Sequence, residues 1–318
     1  MRQRHTGAMK HSQGRRALSD IRADDILHQL SPRRLGPYIR LARLDRPIGT
    51  WLLLFPCLWS IALAELALGQ TPDPGLYLLF ALGAVVMRAA GCTINDIFDR
   101  DFDGRVARTA TRPLPSGEIS LRQALLFLAG LLAVGLLILV QLSTTAIWLG
   151  VASLALVVPY PLMKRITWWP QAWLGLTFNW GALMGWAAVA DGLSWPALLL
   201  YAGGFFWTLG YDTIYAHQDK EDDALIGVKS SALWLGERTR PWTAIFYVIT
   251  LLLFTAACWM AGAGWLAYLG LLAAGLHFGW QVKTLDIDDP GNCLLRFRSN
   301  RFVGWLFLTG IIAANFAT

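Results

Sequence analysis

The segment from Asn95 to Asp103 joins one amide and four carboxylates to the end of an apolar run over residues 76–94, which only Arg88 interrupts. If this segment is helical, Asn95, Asp99 and Asp103 share one face, because they are four residues apart. Two ionised carboxylates about 4 Å apart repel by about 4 kcal/mol at an effective dielectric constant near 20, so the face needs a cation. Oxygen ligands of this kind fit Mg2+, which takes its other ligands from water and substrate phosphates.

A second acidic segment, residues 211–223, also follows an apolar run, and within it Asp219 and Asp223 repeat the spacing of four. If the two segments lie at the same membrane depth, their carboxylates can face each other across metal ions. The pattern predicts a metal clamp for a diphosphate. We call residues 95–103 the first acidic segment and residues 211–223 the second.

Basic and aromatic residues accompany these carboxylates. Arg108 and Arg112 lie in a loop rich in proline and glycine, and their guanidinium groups suit phosphate oxygens. Tyr160 and Lys164 lie together in the next polar connection. Alternatively, the arginines are ordinary loop charges and Lys164 serves only to orient the chain in the membrane.

Arg46 and Arg88 each adjoin or interrupt an apolar segment. Arg88 precedes Asn95 by seven residues, two helical turns, so both lie on one helix face. An arginine that faces a site within a membrane is a functional candidate. The competing interpretation is that both arginines extend to the membrane surface and have no further role.

The composition predicts an all-α polytopic membrane protein. Of 318 residues, 55% are hydrophobic and only 15% are charged, which is unlike a soluble domain. Segments long enough to span a bilayer need about 17 to 25 apolar residues. Nine transmembrane helices are predicted, at residues 47–68, 76–94, 123–141, 144–162, 171–190, 195–215, 242–260, 265–282 and 302–317.

The distribution of lysine and arginine predicts the orientation. Alternate connections are basic, and these belong on the cytoplasmic side, together with both acidic segments. This asymmetry accounts for the net charge of +6, so no nucleic-acid partner is predicted. Residues 1–35 are polar and rich in arginine, and we expect a disordered basic tail before a transmembrane domain over residues 36–318.

A metal-bound diphosphate within a membrane indicates an allylic prenyl diphosphate. Cations would neutralise the leaving diphosphate, and the C–O bond would ionise to an allylic cation. The prenyl tail would lie in an apolar groove between helices, and a dry site would protect the cation from water until an electron-rich acceptor attacks it.

Several motifs occur together and in a familiar order over about residues 38–318. The chain resembles the UbiA superfamily of intramembrane prenyltransferases, and most resembles its 4-hydroxybenzoate polyprenyltransferases of ubiquinone synthesis. One departure is Glu221, where relatives often have aspartate. The residues that carry the resemblance are Arg46-Pro47-Ile48-Gly49, Met87 to Cys92, Asn95 to Asp103, Arg108-Thr109-Ala110, Arg112 to Gly117, Tyr160 to Arg165, and Tyr211 to Ser230.

The resemblance implies nine helices around a central cavity, with a cap of cytoplasmic loops. It implies transfer of a polyprenyl group to the ring carbon ortho to the hydroxyl of 4-hydroxybenzoate, which yields 3-polyprenyl-4-hydroxybenzoate and diphosphate. Asp212 would bind the phenol or take part in proton loss, and Arg46 and Arg88 would bind the acceptor carboxylate. Mg2+ and diphosphate would be held by Asn95, Asp99, Asp103, Asp219 and Asp223, with Lys164, Arg108, Arg112 and Tyr160 around the diphosphate.

Three alternatives are weaker. An ion-coupled transporter would place acidic residues near the bilayer midplane, whereas these lie at the ends of predicted spans. A soluble prenyl-chain synthase is excluded by the apolar spans. A related enzyme could use homogentisate, a naphthoate, haem or a sugar phosphate, but Tyr211-Asp212-Thr213 and residues 112–117 favour 4-hydroxybenzoate.

The sequence also predicts a location. The chain is rich in arginine and has no clear presequence, so we expect a bacterial inner membrane, in preference to a mitochondrial inner membrane.

Overall fold

The structure, a computed structural model, describes residues 32, 34–103 and 109–317, and these form helices, turns and loops without a strand. The all-α prediction is therefore confirmed. The helices are α1 Gly36–Leu41, α2 Ile48–Ala67, α3 Pro74–Asp103, α4 Leu121–Leu139, α5 Thr144–Val157, α6 Met163–Ile166, α7 Pro170–Phe178, α8 Trp180–Ala190, α9 Trp195–Ala216, α10 Lys220–Ile226, α11 Ser231–Leu235, α12 Thr239–Met260, α13 Trp265–Thr284 and α14 Pro290–Ala317.

Every predicted apolar segment overlaps one of these helices, and residues 171–190 overlap two. Within the described residues, five helical stretches are both long enough and apolar enough to cross a membrane. The count of nine spans therefore stays a prediction. The five stretches are Ile48–Ala67, Pro74–Arg100, Leu121–Leu139, Thr144–Ile166 and Ser231–Met260.

The predicted span over residues 171–190 is divided in two at Asn179, between α7 and α8. The Asn179 side chain is buried, and its Nδ2 donates to Thr208 Oγ1 on α9 and to the Gly175 carbonyl, both at 2.8 Å. A buried amide must find such partners because water cannot reach it. The break is thereby held against α9.

Helix α2 lies at the centre of the bundle and α4 at its edge. In α2, 72% of the apolar stretch is buried, against 6% in α4. The Trp59 indole of α2 donates to the Gly304 carbonyl of α14 at 2.9 Å, and the Trp207 indole of α9 donates to Asn300 Oδ1 of α14 at 2.8 Å. Helices α2, α9 and α14 therefore share a core, while α4 presents leucines outward, as a helix that faces lipid does.

Both acidic segments lie at the same end of the bundle. The Lys229 backbone N–H, which follows α10, donates to the Lys164 carbonyl of α6 at 2.9 Å. The Lys220 ammonium of α10 pairs with Asp288, between α13 and α14, at 2.6 Å. Lys164 in turn pairs with Asp99 near the end of α3. These contacts join the connections that carry the site residues.

Candidate active site

The first acidic segment is helical, as predicted, because α3 continues without a break from Pro74 to Asp103. Asn95 and Asp99 therefore lie one turn apart on the same helix face. Asp99 is buried, with 1% of its side chain exposed. The side chain of Asp103 and the whole of Arg108 lie outside the described residues, so their predicted roles stay predictions.

The buried Asp99 carboxylate is held by two cations from α6. The Lys164 ammonium pairs with Oδ2, and the Arg165 Nη2 lies 3.3 Å from Oδ1. Lys164 was predicted to contact a diphosphate, whereas here it lies on a predicted metal ligand. Arg165 is not among the site residues predicted from the sequence. Its position beside Lys164 was the only signal that could have identified it.

Three of the predicted site residues line one small cavity. Asn95 of α3 meets Tyr160 and Lys164, from the turn and helix after α5, around a volume of about 40 Å³. Pro161 and Pro170 complete the lining. The sequence separates Asn95 from Tyr160 by two helices, α4 and α5, and the fold brings them together.

Asp96, one residue after Asn95, faces away from this cavity and joins two loops. It is 1% exposed, and its Oδ1 accepts from Arg43 Nη2 at 2.8 Å and from Arg112 Nη1 at 3.4 Å. Arg112 was predicted to contact diphosphate, and the structure places it on Asp96. Arg43 follows α1 and was not predicted as a site residue. Asp96 therefore attaches the segment after α1 and the 109–117 loop to α3.

Arg88 lies two turns before Asn95 on α3. Its Cζ lies 5.5 Å from the centre of the Phe178 ring, a cation–π distance. Arg88 also lies close enough to Asp212 and to the Tyr160 hydroxyl to interact with both electrostatically. The structure thus brings Arg88 and Asp212, which the resemblance assigns to the acceptor, close to Tyr160, which it assigns to the surroundings of the diphosphate. These roles stay predictions.

Arg46 lies in the turn before α2, where its Nε donates to Asp45 Oδ2 at 3.1 Å. The Asp45 side chain is 5% exposed. Asp45 thus orients Arg46, and the role of Arg46 at the acceptor end stays a prediction.

The second acidic segment is not a continuous helix, so Asp212 and Asp219, although seven residues apart, do not share one helix face. Helix α9 ends at Ala216, a 3-10 turn spans His217–Asp219, and α10 begins at Lys220. Asp219 has φ −116° and precedes the first residue of α10. The turn is held by a contact of 2.8 Å between His217 Nε2 and Thr239 Oγ1 of α12. Burial lowers the pKa of His217 to about 4, so its imidazole is neutral at pH 7.

The donor atoms of the predicted metal site suit Mg2+. Asn95, Asp99, Asp219 and Asp223 offer only oxygen ligands, which hard cations prefer. In the part of the chain that the structure describes, no three His, Cys, Asp or Glu side chains form a ready metal cluster. The Asp103 side chain is outside that part. The two cations on Asp99 show that this buried carboxylate is balanced by positive charge.

Comparison with known proteins agrees with this arrangement. The model of the UbiA prenyltransferase family matches residues 53–311, most of the chain. The chain belongs to the UbiA prenyltransferase family. The recognition made from the motifs is confirmed, and the match covers the helices that carry both acidic segments.

Relatives of this UbiA family member include mitochondrial 4-hydroxybenzoate polyprenyltransferases. Those of Caenorhabditis elegans and Homo sapiens are each 51% identical to it over 286 residues. The alignments cover 90% of this chain and 80% and 77% of the relatives, respectively.

Two solved structures share its fold. A UbiA homologue from Aeropyrum pernix K1 has a TM-score of 0.69 and 26% identity over 82% of this chain and 97% of its own. A UbiA homologue from Archaeoglobus fulgidus, bound to GPP and Mg2+, has a TM-score of 0.66 and 22% identity over 87% of this chain and 99% of its own. Both structures show that this chain has the same helical fold as UbiA homologues.

The predicted bacterial inner membrane is wrong. The relatives of this UbiA family member from Caenorhabditis elegans and Homo sapiens are both mitochondrial enzymes. The prediction rested on the composition of the N-terminal residues, most of which lie outside the described part of the chain. Composition of that kind does not distinguish the two membranes.

Proposed function

We propose that this chain transfers a polyprenyl group from polyprenyl diphosphate to the ring carbon ortho to the hydroxyl of 4-hydroxybenzoate. The observation that carries the proposal is the position of Tyr160. It lines one cavity with Asn95 and Lys164, and its hydroxyl lies within electrostatic range of Arg88, Asp212 and Asp99. The predicted acceptor end and the predicted diphosphate end are therefore adjacent, as group transfer requires.

At the diphosphate end, the chain contributes positive charge next to buried carboxylates. Lys164 and Arg165 lie on Asp99, and both can donate to the oxygens of a leaving diphosphate. Mg2+, when bound, supplies the further positive charge that the departing diphosphate needs. The residues that would hold it are Asn95, Asp99, Asp103, Asp219 and Asp223.

At the acceptor end, the Arg88 guanidinium offers a planar fork that matches a carboxylate. With the carboxylate at Arg88, the phenol hydroxyl points toward Asp212, which accepts its hydrogen bond. The hydroxyl donates electron density to the ortho carbon, and that carbon attacks the allylic cation. A C–C bond forms, the C–O bond to diphosphate breaks, and the ring loses one proton.

The partners follow from the reaction and from the fold. The prenyl tail and the apolar helices belong in a lipid bilayer, and the acceptor reaches the site from the polar end. Because the compared relatives are mitochondrial, we place the chain in the mitochondrial inner membrane. The same relatives favour 4-hydroxybenzoate over homogentisate or a naphthoate as the acceptor.

The test is transfer of radiolabelled 4-hydroxybenzoate into lipid extract by the purified protein with a prenyl diphosphate. Wild type should label the lipid with Mg2+ and fail with EDTA. Asp99→Asn, which keeps the shape but removes the charge, should lose at least about 100-fold in rate, as when a charge-stabilising group is removed. Asp191→Asn, at the opposite end of the bundle, is the matched control and should retain activity. Labelling with homogentisate but not 4-hydroxybenzoate would show that the acceptor is wrong.

A further inference from the structure

Gly49 and Arg88 approach more closely than any other residue at position 49 would allow. Gly49 is buried in the first turn of α2, and Arg88 lies on α3. A Cβ at position 49 would lie 2.6 Å from Arg88 Nε, 2.7 Å from Nη2 and 2.8 Å from Cζ. Real Cβ atoms essentially never approach heavy atoms this closely. The guanidinium therefore occupies a space that exists because residue 49 has no side chain.

The position of the Arg88 guanidinium is set by its contact with Gly49, because its other neighbours hold it only weakly. Phe178 offers a ring face at 5.5 Å, and Asp212 offers a charge interaction, and neither fixes the group as a hydrogen bond would. Among the described residues, no hydrogen bond joins the guanidinium of Arg88 to another group. Its N–H donors are thus available to an anionic ligand. The guanidinium packs against the Gly49 backbone.

We propose that Gly49 is a positioning residue that determines the specificity for a carboxylate on the aromatic acceptor, acting through Arg88. This deepens the proposed function and rests on it. With Gly49, the planar guanidinium lies directly against α2, 5.5 Å from the centre of the Phe178 ring and within electrostatic range of Asp212. The ligand class is an aromatic carboxylate whose hydroxyl lies on the opposite side of the ring. Any larger residue at position 49 shifts the guanidinium and breaks this match.

The test is Gly49→Ala, assayed with 4-hydroxybenzoate and with the neutral analogue 4-hydroxybenzamide. Alanine has a higher helix propensity than glycine, and the added Cβ clashes only with the flexible end of the Arg88 side chain, so the variant should fold. We expect the KM for 4-hydroxybenzoate to rise roughly 10- to 100-fold, the range for hydrogen bonds to a charged group. The kcat and the KM for prenyl diphosphate should change little, and the preference for the carboxylate over the amide should fall.

A matched control is Gly279→Ala on α13, where an added Cβ meets nothing within 4 Å. This variant should behave as wild type in all of these measurements. Equal KM values for Gly49→Ala and Gly279→Ala would overturn the inference. A wild type that fails to prenylate 4-hydroxybenzoate would overturn the proposed function instead, and with it this inference.

A double-mutant cycle with Arg88→Ala separates positioning from structure. If Gly49 acts through Arg88, Gly49→Ala should add no further rise in KM when the guanidinium is absent. Additive effects would show that Gly49 acts independently and would overturn the inference.

Should Gly49→Ala fail to fold, Arg88→Lys gives the second measurement, because it keeps the charge and removes the planar group. The same selective rise in KM is expected, and an unchanged KM contradicts the inference.

Discussion

The Arg43 guanidinium donates to Asp96 Oδ1 at 2.8 Å, and Asp96 is buried next to the site residue Asn95. Arg112 shares the same carboxylate oxygen at 3.4 Å. One aspartate therefore holds the segment after α1 and the 109–117 loop against α3. Because both segments lie over the same end of the bundle as the candidate site, Asp96 links the stability of that end to the position of Arg112.

Asp96→Asn should destabilise this end of the molecule. The asparagine keeps the size but removes the buried negative charge that Arg43 and Arg112 contact, and breaking a buried ion pair costs about 3 kcal/mol. We expect the melting temperature in detergent to fall by about 5 °C or more. The KM for prenyl diphosphate should also rise, since Arg112 loses its ion pair with Asp96.

The matched control is Glu118→Gln, which breaks the more exposed pair between Arg40 of α1 and Glu118, next to the same two segments. Such a surface pair contributes about 0 to 1 kcal/mol. A fall in melting temperature as large as that of Asp96→Asn would contradict the role given to Asp96.

Lys164 and Arg165 should contribute unequally. Lys164 lines the cavity with Asn95, whereas Arg165 does not. Arg165 Nη2 lies 3.3 Å from Asp99 Oδ1. Lys164→Met should raise the KM for prenyl diphosphate roughly 10- to 100-fold, the value of a charged hydrogen bond. Arg165→Met should raise it by about threefold, as expected for a partly exposed pair. Steady-state kinetics at saturating 4-hydroxybenzoate measures both, and a reversed order would contradict the geometry.

Phe178→Leu should weaken acceptor binding selectively. The ring face lies 5.5 Å from the Arg88 Cζ, and a cation–π contact of this kind contributes about 0.5 to 1 kcal/mol. We expect the KM for 4-hydroxybenzoate to rise by about two- to fivefold, with kcat unchanged. Phe302→Leu, which removes the ring that faces Arg301 on α14, is the control and should leave the KM unaltered.

Asp191 should stabilise the opposite end of the bundle through both its backbone and its side chain. It has φ 44°, a left-handed conformation, and its Oδ1 accepts from the Thr145 N–H at 2.9 Å. Asparagine keeps both features, glycine keeps only the backbone freedom, and alanine keeps neither. The melting temperature should therefore fall in the order wild type, Asp191→Asn, Asp191→Gly, Asp191→Ala.

Asp191 should also make the stability of the protein depend on pH. The Thr145 N–H holds the pKa of the Asp191 carboxyl below its usual value, so the folded state favours the ionised form. This contribution is present above the unfolded pKa, about 3.9 for aspartate, and is lost as the pH falls through the lower folded value. The difference in melting temperature between wild type and Asp191→Ala should shrink below about pH 4. A constant difference from pH 7 to pH 3 would contradict it.

The residue types and their spacing were enough to indicate the chemistry of this chain. The position of Asn95 and Asp99 on one helix can be predicted because helical periodicity is local, and α3, which continues to Asp103, confirms it. The all-α fold follows from runs of apolar residues, since backbone groups in lipid must be paired within the helix. The family follows from motifs that are contiguous in sequence.

The tertiary structure decided which distant groups meet. Hydropathy cannot show that Arg165 reaches Asp99, that Arg43 and Arg112 share Asp96, or that α9 ends before Asp219. These contacts join segments far apart in sequence, and their geometry depends on how the helices pack. The contact of Gly49 with Arg88 is the clearest example, because a glycine in a helix carries no chemical signal, and only the approach of α2 to α3 reveals what its missing side chain makes possible.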